Sequence, residues 1–212
     1  AVKGGRNNTG FTEEDIIEEH IRYEENWDRE LMKNVAQGNM CKIIYNSGES
    51  LIYIIGAESN VRSVHMLIDF YSKAILNLAI EDAKRKRRWE SLAIGQAKAI
   101  KDVSRLDRQE KENIKDYLAG AVDGLADSLT KKVSAFSMEE FPSEGTGGMG
   151  LMITGRSIIR TNEDRIDTYI RRTYPNLGHF RGGGTGGNSN SYAYGKGFSD
   201  GGGLGAGQRR LG

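Results

Sequence analysis

The stretch from Asn39 to Tyr71 constrains the fold more than any other part of the chain, because its hydrophobic period changes partway along. Cys41 to Tyr45 and Leu51 to Ile55 are two short runs rich in Ile and Tyr. Between them lies Asn46-Ser47-Gly48-Glu49-Ser50, whose Asn, Gly and Ser chemistry is that of a hairpin loop. After Gly56 the apolar residues Val61, Val64, Leu67, Ile68, Tyr71 and Ile75 recur at spacings of three and four. That spacing puts them on one face of a helix, with Ser59 or Asn60 placed to accept from its first-turn amides. The stretch therefore reads as a β-hairpin leading directly into a helix.

Around this unit the chain divides into further segments. Thr12 with Asp15 approximates a capping box, which predicts a helix from about Phe11 to Ala36 that buries Ile17, Ile21, Trp27, Leu31 and Val35 and stops at Gly38-Asn39. The helix from Val61 is expected to run into the basic segment Lys84-Arg85-Lys86-Arg87-Arg88-Trp89, with a break before Leu106. From Asp107 the face Ile114, Tyr117, Leu118, Ala121, Val122, Leu125 and Leu129 predicts a helix ending near Lys131-Lys132. Residues 134–150 read as loop. Gly150 to Thr154 is a candidate third strand, and Asn162 is a candidate cap for a helix with the face Ile166, Tyr169, Ile170 and Tyr174, stopped at Pro175.

Half of the 28 glycines lie beyond Leu177. The part able to bury a core is then nearer one domain than two. The expected organisation is a mobile segment 1–10, a single α+β domain 11–177 and a flexible Gly-rich tail 178–212, which stays mobile unless a partner or another copy of the chain orders it. A formal net charge of +1 over 212 residues leaves no global electrostatic steering, so any basic function must be local. The single cysteine, Cys41, rules out an internal disulfide and a cysteine-cluster metal site, and its alternation with Ile43 and Tyr45 suits a small core residue. No apolar run reaches the about 20 residues that span a bilayer. The start of the chain has no hydrophobic signal core, which predicts a cytoplasmic protein with no membrane partner.

The motifs give little chemistry. Gly145-Thr-Gly-Gly-Met-Gly150 fits G-x-G-x-x-G by letter. A dinucleotide site, however, needs a strand before it and a helix after it, and here a Pro-Ser loop precedes and a candidate strand follows. His20, His65 and His179 are scattered without a second ligand at metal spacing. His65, with Asp69 four residues on, reads as structural. No cofactor, metal site or catalytic residue is expected, and nothing argues for an enzyme. An unrecognised catalytic site would have to draw on groups such as His65, Asp69, Cys41 or Tyr117.

Two features remain. Lys84 to Arg88 could neutralise several phosphates with Trp89 beside them as a stacking surface, or could be a solvated helix end pairing with the acidic first helix. The tail adds Arg181, Tyr192, Tyr194, Phe198, Arg209 and Arg210 among Gly and Ser, a mixture like that of segments that bind single strands by charge and stacking. Gly120 and Gly124 lie four apart on one side of the third expected helix. Each costs about 1 kcal/mol of helix propensity relative to Ala, so a closely approaching backbone is a plausible reason for both.

The landmarks Trp27 with Leu31, Asn39 and Cys41, Gly56 with Asn60-Val61, Tyr117-Leu-Ala-Gly-Ala-Val-Asp-Gly-Leu125, Tyr169 with Tyr174-Pro-Asn-Leu177, and Ser189-Asn-Ser-Tyr-Ala-Tyr-Gly-Lys-Gly197 occur in an order that resembles the phage and bacterial domain-of-unknown-function family 2786, in its larger C-terminal domain. The family's small N-terminal helical domain has no counterpart in the residues before Trp27. Its tail is usually more compatible with helix than Ser199 to Gly207 is here. The resemblance implies a phage or prophage setting inside a bacterial host cell and supplies no catalytic residues. The leading expectation is a non-enzymatic accessory protein of nucleic-acid metabolism that binds DNA or RNA backbone through Lys84 to Arg88 and the Arg/Gly tail. The alternative is an assembly protein whose tail, with Tyr192 and Tyr194, docks on a neighbouring subunit or a phage or host protein, with the Gly120/Gly124 face packing closely.

Overall fold

The computed structural model describes residues 15–93, 108–142, 152–178 and 186–207. In chain order these form β1 (Ile16–Arg22), α1 (Asn26–Gly38), β2 (Lys42–Asn46), β3 (Leu51–Ala57), α2 (Glu58–Ala93), α3 (Arg108–Met138), β4 (Glu140–Pro142), β5 (Met152–Thr154), α4 (Gly155–Thr173) and α5 (Tyr192–Gly205). The fold is α+β, with a small antiparallel sheet built on the hairpin. The described residues fall into two compact units. One draws on the chain up to Arg22, on Ala36–Val64 and on Thr130–Phe180, and the other on Tyr23–Val35, His65–Leu129 and Arg181–Gly212. This division is discontinuous, whereas the sequence suggested one domain over 11–177 followed by a tail. No helix among the described residues is long and apolar enough to cross a membrane.

In the first unit the hairpin forms as its periodicity implies, with Lys42 opposite Ile55 and Asn46 opposite Leu51. The strand that completes the sheet is β1, giving the order β1-β3-β2. It pairs with β3 over seven residues, from Ile16 opposite Ala57 to Arg22 opposite Leu51. Residues 16–22 were expected to be helical. Their Glu content favours a helix, but Ile16, Ile17 and Ile21 fit a pleated surface as well, and the open edge of β3 offers a full ladder of backbone hydrogen bonds. The helix begins only at Asn26. Trp27, Leu31 and Val35 keep their helical period, and Leu31 and Val35 are fully buried.

The strand at Met152–Thr154 was expected to join the hairpin. Instead it pairs with β4 in a separate two-stranded sheet, Glu140 opposite Thr154 and Pro142 opposite Met152. That corner is tight: the Gly155 amide donates to the Glu139 carbonyl at 2.8 Å, and a Cβ at Gly155 would collide with the Phe136 carbonyl. Thr154 caps α4 by accepting from the Ser157 amide. Asn162, expected to be the cap, lies inside α4, buried, and its side-chain amide donates to the Met40 carbonyl at 2.7 Å. Met40 is left-handed (φ 56) just past the end of α1, so Asn162 takes up a carbonyl that leaves the helix. On the sheet side, Ile166 packs with Ile16, Ile44 and Ile55, and Tyr53, Tyr169, Ile170 and Tyr174 close around them. Burying each such Ile is worth about 1.5–3 kcal/mol.

In the second unit α3 supplies the buried centre: Tyr117, Leu118, Ala119, Ala121, Val122, Leu125 and Leu129 are all buried. Within the stretch expected to be a flexible tail, residues 192–205 form α5, which packs on α3. The two helices run parallel and meet through glycine on both sides. A Cβ on Gly120 or Gly124 would come within 3.0 Å of the Tyr194 or Phe198 carbonyl, and one on Gly197 or Gly201 would do the same to the Tyr117 or Ala121 carbonyl. The close-packing role expected of Gly120 and Gly124 is real. In this structure its occupant is the chain's own α5.

Candidate functional site

The same spacing appears on both partners of this helix pair: Tyr117-x-x-Gly120-x-x-Asp123-Gly124 on α3 and Tyr194-x-x-Gly197-x-x-Asp200-Gly201 on α5. Their polar groups bond reciprocally across the contact. The Tyr117 hydroxyl donates to Asp200 Oδ2 at 2.6 Å, and the Tyr194 hydroxyl donates to Asp123 Oδ2 at 2.7 Å. Lys196 Nζ adds a third bond, to Asp200 at 2.9 Å. Asp200 is 7% exposed, and a carboxylate that buried requires such donors. Burial, then the hydrogen bond and charge of Asp123, push the Tyr194 hydroxyl up to about 12. Ahead of α5, the Asn188 amide donates to Asp116 Oδ1 at 2.8 Å and Ser191 caps the helix by accepting from the Tyr194 amide. The start of α5 is thereby fixed against α3.

This docking shapes a cleft of about 120 Å³ between α2, α3 and α5. From α2 come Ala79, Asp82, Ala83 and Lys86, at the i, i+3, i+4, i+7 spacing of one helical face. From α3 come Gln109, Glu110, Asn113, Ile114 and Tyr117, and from α5 come Tyr192 and Ala193. Buried Ala79, Tyr117 and Ala193 form the floor, and exposed Lys86, Gln109 and Tyr192 form the rim. Tyr192 is 81% exposed, the most exposed of the large apolar side chains described.

The cleft brings together only part of what the sequence singled out. Lys84, Arg85 and Lys86 are exposed on α2, and no described carboxylate pairs with any of the three. Of the acids expected on a first helix, Glu18 and Glu19 lie on β1 and Glu24 and Glu25 in the turn after it. Consecutive helical residues point about 100° apart, so Lys86 faces the cleft, Arg85 its shoulder and Lys84 the far side. The helical backbone of α2 continues through Arg87, Arg88 and Trp89, whose side chains lie outside the described residues. Arg181, Arg209, Arg210, His179 and the Gly145–Gly150 loop also lie outside them. Tyr192 and Tyr194, grouped by sequence as tail residues, have different placements: Tyr194 is bonded into the helix pair and Tyr192 stands at the rim. Asp82, Gln109 and Asn113 carried no motif. Only the convergence of three helices marks them.

The groups that a catalytic site would draw on have separate placements among the described residues. Cys41 is buried in the first unit, and desolvation pushes its thiol up to about 12, which favours the protonated form at neutral pH. Asp69 pairs with Lys73 at 2.6 Å, and Tyr117 is committed to Asp200. Among the described residues no three His, Cys, Asp or Glu side chains cluster to hold a metal ion. Together, fold and site describe an α+β protein with a cleft between three helices, beside which Lys84, Arg85 and Lys86 are exposed. No family model, curated protein or solved structure matches the chain.

Proposed function

We propose that the protein is a non-enzymatic nucleic-acid-binding accessory factor whose second unit holds sugar-phosphate backbone along the α2 segment Lys84 to Arg88. The observation that carries this reading is the exposure of Lys84, Arg85 and Lys86 without a described acidic partner, with Lys86 on the rim of a cleft that also presents Tyr192. Exposed cations that no described carboxylate pairs with are available to displace counterions from a polyanion. An exposed ring beside them adds a stacking surface. The resemblance to family 2786 implies only a phage or bacterial setting; a role there in nucleic-acid metabolism, with Arg181, Arg209 and Arg210 adding backbone contacts, is part of the proposal.

A gel shift at low salt with the Lys84→Glu, Arg85→Glu, Lys86→Glu triple variant tests this. Retardation of a short oligonucleotide by the unaltered chain and its loss in the variant are expected. Retardation that is indifferent to the reversal, or none at low salt, removes the proposal.

A further inference from the structure

We infer that the cleft bordered by Lys86 and Tyr192 receives one unstacked nucleobase, so that the nucleic acid taken is single-stranded; this rests on the backbone-binding reading above. The charge distribution separates the two halves of a nucleotide. Asp82 and Glu110 line the cleft and disfavour a phosphate within it, while Lys86 at the rim and Arg85 beside it attract the phosphate outside. The part of a nucleotide that suits a cleft with two carboxylates and three alanines in its lining is the uncharged base and not the phosphate.

Ala79, Ala83 and Ala193 are those alanines, and none projects beyond Cβ. The amide of Asn113 and the carboxylate of Asp82 offer both donor and acceptor to a base edge, which is the requirement for burying one without leaving its polar atoms unsatisfied. Tyr192 stands at the mouth with its ring 81% exposed, where it can stack on the inserted base or on its neighbour. In a duplex the base edges are paired and the faces stacked, so entry there would first require extruding a nucleotide.

The test measures the full chain at low salt against three probes with equal numbers of phosphates: a single strand of about ten nucleotides, the same strand with abasic sugars, and a blunt duplex. The base-bearing single strand is expected to bind about tenfold more tightly than the abasic one, and more tightly than the duplex. Tyr192→Ala, a surface change that leaves α5 docked, and Ala83→Phe, which fills the cleft, should each abolish that preference while abasic binding persists. Equal binding of base-bearing and abasic strands, or a preference untouched by both variants, overturns the base pocket and leaves backbone binding standing. Absence of binding to all three probes overturns both.

Discussion

At the scale of single residues, the chain is fitted around a few atoms with no room to spare. Gly56 is one such place. A Cβ there would stand 2.6 Å from Cys41 Sγ, and the alternative of moving the sulfur is closed by its own burial. Gly56→Ala is expected to destabilise the protein by roughly 1–3 kcal/mol. Combining it with Cys41→Ala should return part of that loss, because the colliding atom is gone. Urea midpoints of the two single variants and the double variant would show this coupling, and strict additivity would refute it. A second residue-scale expectation concerns Tyr194, whose hydroxyl ionises near 10 when exposed and about 12 when folded. Between those values the unfolded chain has released a proton that the folded chain still holds, so stability falls as pH rises through this window. Cys41, Tyr71 and Tyr174 are raised in the same sense by burial and add to the decline. Tyr194→Phe should flatten the part of the loss between pH 10 and 12, read from urea midpoints across that range. The cations proposed to bind nucleic acid follow the same logic of position. Lys86→Ala should weaken nucleic-acid binding more than Arg85→Ala, and Arg85→Ala more than Lys84→Ala, because α2 turns each successively away from the cleft.

At the scale of elements, α5 is a helix that its sequence opposes. Six of its fourteen residues are glycine, each costing about 1 kcal/mol against alanine, so it forms only because α3 accepts it. The glycines do not all serve that contact. Nothing lies within 4 Å of a Cβ at Gly195, whereas at Gly197 and Gly201 it would strike the α3 backbone. Gly195→Ala is therefore expected to raise stability by roughly 0.5–1 kcal/mol. Gly197→Ala and Gly120→Ala should each lower it and reduce the helical signal by circular dichroism. Equal effects at the three positions would mean that α5 does not sit on α3 through these residues. The same elements show where sequence reasoning succeeds. The hairpin and α2 were legible because each has a single unbroken period, and the buried face of α3 was legible for the same reason. β1 was not, because three isoleucines among glutamates fit either period and only the free edge of β3 decides between them. α5 was hidden by composition: its glycines suggested a mobile tail, although Gly197, Gly201 and Gly205 repeat the spacing of Gly120 and Gly124. Setting Tyr117-x-x-Gly120-x-x-Asp123 beside Tyr194-x-x-Gly197-x-x-Asp200 would have exposed the pairing.

At the scale of the whole molecule, the candidate site depends on parts drawn from three separate stretches of chain. Lys84 to Arg88 could be found by eye, since a run of like charge is a local signal. The cleft could not, because Tyr192 joins Asp82 and Asn113 only when α5 folds onto α3, and no local pattern encodes that event. Formation of the cleft and docking of α5 are consequently one equilibrium, and a ligand held there must stabilise α5 by mass action. The proposal that this surface binds a polyanion is tested most directly by the affinity of the full chain for a single-stranded oligonucleotide over a range of salt concentration. Contacts from Lys84, Arg85 and Lys86 alone predict that log K falls against log salt with a slope of about −2, and that the triple charge reversal removes this dependence together with most of the affinity. An affinity independent of salt, or unchanged by the reversal, would contradict the account.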